Sequence, residues 1–348
     1  MSDGEKPKRR VRYKGTHPKA FKEKYKEQNP EKYAEDVAKI IAQGKTPAGM
    51  HRSIMVQEIL DFLQIKPGQI GLDATLGYGG HSLKMLEALD GKGMLYATDV
   101  DPIEMPRTTE RLKSFGYGEE IFQPRKMNFS EIDAIVAESG PLNFVLADLG
   151  VSSMQIDNPD RGFSFKVDGP LDLRLNPQYG KPASSILKKA TAEELSELFQ
   201  EYSDELYADD IAEAIINERR MGNSFTTTTQ LRDVIAEALE FLPKETRKEE
   251  IKKACQRCFQ ALRIVVNDEF TVLEKFLDRL PDCLAPGGRV AILTFHSGED
   301  RRVKKAFQFF TREGIFSEFS REPLRPSAEE CFQNPRAKSA KLRTAIKN

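Results

Sequence analysis

A glycine-rich turn between a predicted strand and a predicted helix is the feature that most restricts how this chain can fold. Asp73-Ala-Thr-Leu-Gly-Tyr-Gly-Gly-His81 follows the short apolar run Gln69–Asp73, and helical spacing begins at His81. Glycines at such a junction let the backbone turn tightly and approach a ligand, because no Cβ stands in the way. The third glycine directly follows the second, which departs from the G-x-G-x-x-G spacing of dinucleotide-binding loops. The spacing therefore disfavours a nicotinamide-dependent oxidoreductase.

Strands and helices alternate on both sides of a helical stretch. Apolar runs at Gly93–Val100 and Pro141–Asp148 predict strands, and Ile121–Met127 predicts a weaker one because Pro124 interrupts it. From about Pro182 to Cys258 the pattern changes to helix after helix, and the alternation then returns with a turn at Pro286-Gly-Gly288 and a strand at Arg289–Phe295. The sequence therefore predicts an α/β fold, with a mostly parallel, doubly wound, Rossmann-like sheet and an inserted helical domain.

Three parts of the chain follow from this pattern. Residues 1–50 form an extension, with a basic arm at Lys6–Lys14 and a helix that begins at Asn29-Pro30 and ends at Gly44. Residues 51–175 and 259–348 form the α/β domain, and residues 176–258 form a helical substrate-recognition domain. The arm is either a solvated tail or an electrostatic contact for phosphates.

Composition excludes several classes of protein. The net charge of -1 means that any nucleic-acid contact must come from local basic clusters, such as Arg301–Lys305 and the segment around Arg336–Arg343. No apolar run is long enough to span a bilayer, and we expect a cytoplasmic protein without a membrane partner. The four cysteines are too few for a disulfide framework. Cys255-Gln-Arg-Cys258 lacks a second ligand pair, so we expect no metal.

Acidic residues end three of the predicted strands. Asp73, Asp99 and Asp148 each come at the carboxyl end of a strand, which is the edge where ligands bind in such sheets. Asp99 stands at the spacing where an acid receives ribose hydroxyls, and Asp101 is available to cap the next helix instead. Acids in place of phosphate-binding groups suit a cationic cofactor without phosphate. The pattern therefore predicts S-adenosylmethionine, and hence a methyltransferase.

Longer motifs add a family resemblance. They are, in order, Asp148-Leu-Gly-Val-Ser-Ser-Met-Gln155, Arg161-Gly-Phe-Ser-Phe-Lys-Val-Asp-Gly-Pro-Leu-Asp-Leu-Arg174, Phe259-Gln-Ala-Leu-Arg-Ile-Val-Val-Asn-Asp-Glu269, Phe295-His-Ser-Gly-Glu-Asp-Arg301 and Asn334-Pro-Arg-Ala-Lys-Ser-Ala-Lys-Leu-Arg343. Together with the glycine-rich turn they closely resemble the bacterial MraW (RsmH) family, from about His51 to the C-terminus. The resemblance implies methylation of the N4 amine of a cytidine in the decoding centre of 16S ribosomal RNA. It also implies the small ribosomal subunit as partner, and a homodimer is compatible with the sequence.

The resemblance also implies which residues contact the cofactor. These are Gly79, Gly80, His81, Asp99, Phe129, Asp148 and Gln155. Phe129 follows the third strand, where its ring can flank the adenine. The amide of Gln155 can donate or accept a hydrogen bond from the loop after the fourth strand.

The residues that bind the nucleotide receiving the methyl group are less clearly indicated by the sequence. An exocyclic amine needs a hydrogen-bond acceptor to orient it, and Asp148 is the first candidate for that catalytic role, with Asp172 the second. Phe163 and Phe165 either stack on the target base or pack in the core. We take Arg174, Arg301 and His296 as further candidates for substrate contacts, with surface salt bridges as the alternative for the arginines and core packing for His296.

Two other functions fit the same motifs less well. A small-molecule methyltransferase would share the sheet, but it needs neither the helical insertion nor the basic clusters. A non-catalytic RNA-binding module would have no reason to keep acids at the three strand ends.

Overall fold

The computed structural model describes Ser53–Asn348, and the predicted basic arm and the helix ending at Gly44 lie outside the described residues. The strands are β1 Ile70–Asp73, β2 Met94–Asp99, β3 Phe122–Lys126, β4 Leu142–Asp148, β5 Leu284–Thr294, β6 Phe316–Phe319 and β7 Lys341–Lys347. The α-helices are α1 Val56–Leu63, α2 Gly80–Leu89, α3 Glu104–Ser114, α4 Ile132–Ser139, α5 Ser153–Asp157, α6 Ala183–Lys189, α7 Ala192–Ser203, α8 Ala208–Arg220, α9 Thr228–Ala238, α10 Lys244–Asn267, α11 Glu269–Cys283, α12 Ser297–Arg312 and α13 Ala328–Gln333.

All seven strands form one sheet, in the order β3-β2-β1-β4-β5-β7-β6. Neighbouring strands from β3 to β5 are parallel, while β7 is antiparallel to both β5 and β6. The order reverses between β1 and β4, and ligands bind in such sheets at the carboxyl ends of the strands beside this reversal. The predicted mostly parallel α/β sheet is confirmed, and Asp73, Asp99 and Asp148 end three strands at this edge.

Apolar residues cover both faces of the sheet. On β4, the side chains of Val145 and Ala147 belong to one buried cluster, while those of Phe144 and Leu146 belong to another. Alternate residues of a strand point to opposite faces, so a run buried on both sides is uniformly apolar. Helices α4, α11 and α12 contribute to the first cluster, and α1, α2 and α3 contribute to the second. This is the doubly wound arrangement that the sequence predicted.

A third buried cluster belongs to the helical part of the chain. Its buried side chains run from Phe163 to Leu262 and come mainly from α6 to α10. Thr191 caps α7: its Oγ1 accepts a hydrogen bond from Glu194 N at 3.2 Å, and Glu194 Oε2 accepts one from Thr191 N at 2.8 Å. The boundaries at 176 and 258 stay a prediction. Between Ser53 and Asn348, no helix is both long enough and apolar enough to cross a bilayer.

Two local predictions need correction. Pro124 does not break β3 but pairs with Ala97 inside it, because β3 is an edge strand and the missing N–H of proline faces no further strand. The turn at Pro286–Gly288 does not precede β5 but is a bulge inside it. The register moves from Leu142 opposite Leu284 to Phe144 opposite Arg289, which leaves the residues between on the bulged strand unpaired.

Candidate active site

Asp73 holds the shape of the glycine-rich loop from inside the protein. Its side chain is buried, its Oδ2 accepts a hydrogen bond from Ser82 Oγ at 2.6 Å, and its Oδ1 accepts one from Thr75 N at 3.1 Å. Burial raises the pKa of Asp73, although these hydrogen bonds and the nearby charge of His81 act in the opposite direction. Asp73 therefore ties the end of β1 to α2.

The three glycines of the loop serve different purposes. Gly77 has φ +48°, and the atom nearest to a Cβ added there would be the Thr75 carbonyl oxygen at 3.8 Å, so this backbone faces open space. Gly79 has φ +72°, and a Cβ there would lie 2.7 Å from Thr108 Cγ2. A Cβ on Gly80 would overlap Ser53 Oγ. Close approach to a ligand thus fits Gly77, whereas side chains of the protein itself lie close to Gly79 and Gly80, and the predicted contacts of these two glycines with the cofactor stay a prediction.

Asp99 is oriented by two backbone N–H groups. Its Oδ2 accepts a hydrogen bond from Gly77 N at 2.7 Å, and its Oδ1 accepts one from Asp101 N at 2.8 Å. Burial raises the pKa of Asp99 to about 6, despite these two hydrogen bonds, which lower it. Each carboxylate oxygen keeps capacity for a further donor, as an acid that receives ribose hydroxyls needs. Asp101 Oδ1 accepts from Ile103 N and Glu104 N and so caps the turn that leads into α3.

His81 and Asp148 meet at the ends of α2 and β4. The His81 Nε2 atom lies 3.5 Å from Asp148 Oδ2, and Thr75 Oγ1 accepts a hydrogen bond from Asp148 N at 2.7 Å. Burial lowers the pKa of His81, but the interaction with Asp148 and the charge of Asp73 outweigh it and raise the pKa above its ordinary value. Among the described residues, His81 Nε2 and Asp148 Oδ1 have no hydrogen-bond partner although both atoms are buried. Such atoms mark a place where a ligand supplies the missing contact.

Phe129 and Gln155 lie on the segments that follow β3 and β4. Phe129 begins a 3-10 turn and packs edge-on against Phe276, with ring centroids 5.2 Å apart, while part of its surface stays accessible. Gln155 is buried: its Oε1 accepts from Ser152 N at 2.8 Å and its Nε2 donates to Asp101 Oδ2 at 2.8 Å. The structure therefore gives Gln155 a role in shaping the loop, and its predicted contact with the cofactor stays a prediction.

A buried ion pair that the sequence did not indicate joins three segments of the site. Arg161 Nη1 donates to Asp101 Oδ2 at 2.7 Å, and the two side chains are only 6% and 1% exposed. Arg161 Nη2 also donates to the carbonyl oxygens of Arg174 and Leu175. From the sequence, Asp101 is predicted only as a helix cap. Its partner Arg161 lies 60 residues away, and nothing local to either residue signals the contact.

Asp172, the second candidate for the catalytic acceptor, forms an ion pair with Arg174. Arg174 donates from Nε to Asp172 Oδ1 at 2.8 Å and from Nη2 to Asp172 Oδ2 at 2.7 Å, and both side chains are partly exposed. Phe163 is buried in the helical cluster, where Phe165 packs edge-on against Phe259 with ring centroids 5.5 Å apart. Packing in the core therefore explains the positions of the Phe163 and Phe165 rings, and their ion pair explains the positions of the Asp172 and Arg174 side chains.

His296 and Arg301 differ sharply in environment. His296 follows β5, and its Nε2 lies 3.1 Å from Oε1 of the buried Glu299, whereas Arg301 is exposed on α12. Within Ser53–Asn348, Glu269, His296 and Glu299 are the only group with the spacing to hold a metal ion. Arg263 already donates to both oxygens of Glu269 at 2.8 Å, so the charge of this carboxylate is balanced by a guanidinium.

The cysteine pair on α10 is poorly suited to bind a metal ion. The thiols of Cys255 and Cys258 are both free and buried, and burial raises the pKa of Cys255 to about 12. A metal-binding cysteine must lose its proton, which this environment opposes.

Comparison with known proteins shows which family the chain belongs to. The family model described as the MraW methylase family matches residues 48–348. The chain belongs to the MraW methylase family. Ribosomal RNA small subunit methyltransferase H 2 of Alkaliphilus metalliredigens is 65% identical over 343 residues, which cover 99% of this chain and 98% of that protein. Ribosomal RNA small subunit methyltransferase H 1 of Lachnoclostridium phytofermentans is 62% identical over 340 residues, covering 98% of this chain and 93% of that protein.

This MraW methylase uses S-adenosylmethionine as its cofactor. The open backbone at Gly77 and the oriented Asp99 carboxylate suit that molecule. Among solved structures, an rRNA methylase from Streptococcus thermophilus is 13% identical, with a TM-score of 0.36, over 82% of this chain and 92% of that chain.

Proposed function

We propose that this protein transfers a methyl group from S-adenosylmethionine to the exocyclic N4 amine of a decoding-centre cytidine in 16S ribosomal RNA. Membership of the MraW methylase family supports methyl transfer, and the relatives named as ribosomal RNA small subunit methyltransferases support the small subunit as partner. The choice of the N4 amine rests on the motif resemblance and on the chemistry of the residues at the end of β4.

One observation carries the proposal. Asp148 Oδ1 is buried and has no hydrogen-bond partner among the described residues, and it lies at the carboxyl end of β4 beside His81. A buried carboxylate oxygen without a donor is costly unless a ligand provides one. An exocyclic amine provides N–H donors, whereas a hydroxyl or ring nitrogen offers fewer or none.

The residues at the end of β4 can orient the amine and accept its proton. Bound S-adenosylmethionine supplies a methyl group on a positively charged sulfur that leaves as a neutral thioether. The Asp148 carboxylate accepts an N–H hydrogen bond, which holds the nitrogen lone pair toward the methyl group and away from conjugation with the ring. When the C–N bond forms and the C–S bond breaks, the nitrogen must lose one proton. Asp148 can take that proton, and His81 Nε2, 3.5 Å from Oδ2, helps to hold the carboxylate in place.

Asp148 is preferred to Asp172 on geometric grounds. Both oxygens of Asp172 already accept hydrogen bonds from Arg174, whereas Asp148 keeps a free oxygen. A carboxylate that is already paired with a guanidinium is the weaker base, because the adjacent positive charge favours its ionised form.

The test is methylation of small ribosomal subunits that lack the modification. Labelled S-adenosylmethionine is supplied with the protein, and the digested RNA is analysed by mass spectrometry. We expect label only in N4-methylcytidine, with almost none after Asp148→Asn and substantial incorporation after Asp172→Asn. Subunits that already carry the methyl group serve as the control. Label in another nucleoside, or transfer to a small molecule alone, would contradict the proposal.

A further inference from the structure

The solvent-exposed face of α12 is exclusively basic, polar or aromatic. After the first turn of the helix, its exposed side chains are Arg301, Lys304, Lys305, Gln308, Phe309 and Arg312. Arg301, Lys305, Phe309 and Arg312 follow one another at spacings of four, four and three residues, which places them along one side of the helix. We call these four residues the α12 stripe, and it is about 16 Å long.

The acidic residues of the same helix point into the protein. Glu299 Oε2 accepts a hydrogen bond from Phe295 N at 2.8 Å, and Asp300 accepts from Arg343 Nε at 2.6 Å and from Lys341 Nζ at 2.9 Å. Burial raises the pKa of each acid, but the adjacent cations outweigh it and lower both pKa values. Both acids are therefore ionised and neutralised internally.

The cations of the stripe are largely uncompensated. Neither Arg301 nor Lys305 forms an ion pair with another residue between Ser53 and Asn348. Arg312 pairs only with the exposed Glu313, and its guanidinium lies 5.3 Å from the centroid of the Phe309 ring, which is 48% exposed. Exposed pairs of this kind contribute little, so Arg312 remains available to another anion. An exposed ring beside guanidinium groups is the combination on which nucleic-acid bases stack.

Helix α12, which carries the stripe, begins at the edge of the sheet that carries the active site. Strand β5 pairs with β4 so that Leu293 lies opposite Asp148, and α12 begins four residues after Leu293. Another exposed surface has the opposite charge, because Glu193, Glu197, Asp209 and Glu213 line a groove between α7 and α8. In a chain of net charge -1, this separation of charge favours one orientation on a polyanion.

We propose that the α12 stripe binds the phosphate backbone of the RNA next to the target nucleotide, with Phe309 stacking on an unpaired base. This inference rests on the proposed function and adds the surface along which the RNA lies. The partner is the RNA itself and not a ribosomal protein, because the stripe presents cations and one aromatic ring instead of an apolar groove.

The experiment measures binding of the full-length protein to protein-free 16S RNA and to small subunits over a range of salt concentrations. The test variant combines Arg301→Gln, Lys305→Gln and Arg312→Gln. We expect its affinity for both partners to fall about tenfold or more, and the slope of log affinity against log salt to flatten by about 2, as for three lost phosphate contacts to single-stranded RNA. Calorimetry with S-adenosylhomocysteine should give an unchanged affinity.

Two further variants separate the proposal from a general effect of charge. The matched control combines Lys66→Gln, Lys92→Gln and Lys113→Gln, which are exposed positions before β1, before β2 and in the last turn of α3, and it should bind RNA like the parent. Phe309→Ala should weaken binding without changing the salt slope, because stacking releases no counterions.

An equal loss of RNA affinity in the stripe and control variants would overturn the inference. A loss of affinity for small subunits without a loss for protein-free RNA would overturn it as well. Retained methylation and binding in the stripe variant would overturn it too, while leaving the proposed function intact. No methylation by the parent protein would instead reject the proposed function.

Discussion

The ion pair between Arg161 and Asp101 gives the sharpest test of how the active site is held together. We consider Arg161→Met, which keeps most of the side-chain volume and removes the charge. The carboxylate of Asp101 then stays buried with one strong donor fewer, and the carbonyl oxygens of Arg174 and Leu175 lose the donor on Nη2. Removing one partner of a buried ion pair costs about 3–5 kcal/mol of folding free energy.

The same segment supplies a matched comparison. Arg174 pairs with Asp172 through two hydrogen bonds of similar length, but these side chains are 18% and 22% exposed, against 6% and 1% for Arg161 and Asp101. Water can solvate the Asp172 carboxylate once its partner is gone, so Arg174→Met should cost only about 1 kcal/mol. The expected difference of about 2–4 kcal/mol between the variants comes from burial, because the more exposed pair has the larger number of hydrogen bonds between its two side chains.

Urea unfolding followed by circular dichroism measures both variants, since the chain contains no tryptophan. Adding Asp101→Asn to Arg161→Met should cost much less than the sum of the two single changes, because no unpaired charge is left buried. Equal losses for Arg161→Met and Arg174→Met, or strict additivity in the double variant, would refute the reasoning.

The remaining predictions concern the cofactor, the acceptor and the extension. Because the pKa of Asp99 is raised to about 6 and the ionised form is the better acceptor for hydroxyls, affinity for S-adenosylhomocysteine should fall as the pH drops below about 6; calorimetry should find this dependence absent in Asp99→Asn. Asp148→Asn should lower kcat about a hundredfold or more in the subunit assay with S-adenosylmethionine at saturation, and an unchanged kcat would remove Asp148 from catalysis. Gly79→Ala should lower the thermal stability more than Gly77→Ala, because both residues have a positive φ but only Gly79 also lies against Thr108, and an equal or larger loss in Gly77→Ala would contradict this. Deleting residues 1–50 should leave cofactor binding intact and reduce activity on subunits, and equal activity would make the arm a solvated tail.

Much of the fold was predictable because its signals are local. The strand-terminal acids Asp73, Asp99 and Asp148 come at one edge because parallel strands place their carboxyl ends together, so the candidate cofactor site followed from the order of the elements. The bulge within β5 was not predictable, because proline and glycine at Pro286–Gly288 indicate a turn equally well before a strand or within it.

By itself, the sequence determined the alternating α/β pattern, the glycine-rich loop and the acids that end the strands. Only the tertiary structure decided what each side chain does there. It showed that a Cβ on Gly79 would lie against Thr108, that both oxygens of Asp172 accept hydrogen bonds from Arg174, and that Arg161 reaches Asp101 across 60 residues. The physical reason is that backbone preference and hydrophobic periodicity are carried by neighbours in the chain. Burial, charge pairing and free hydrogen-bonding capacity depend on neighbours in space, and these exist only after the sheet and helices have packed.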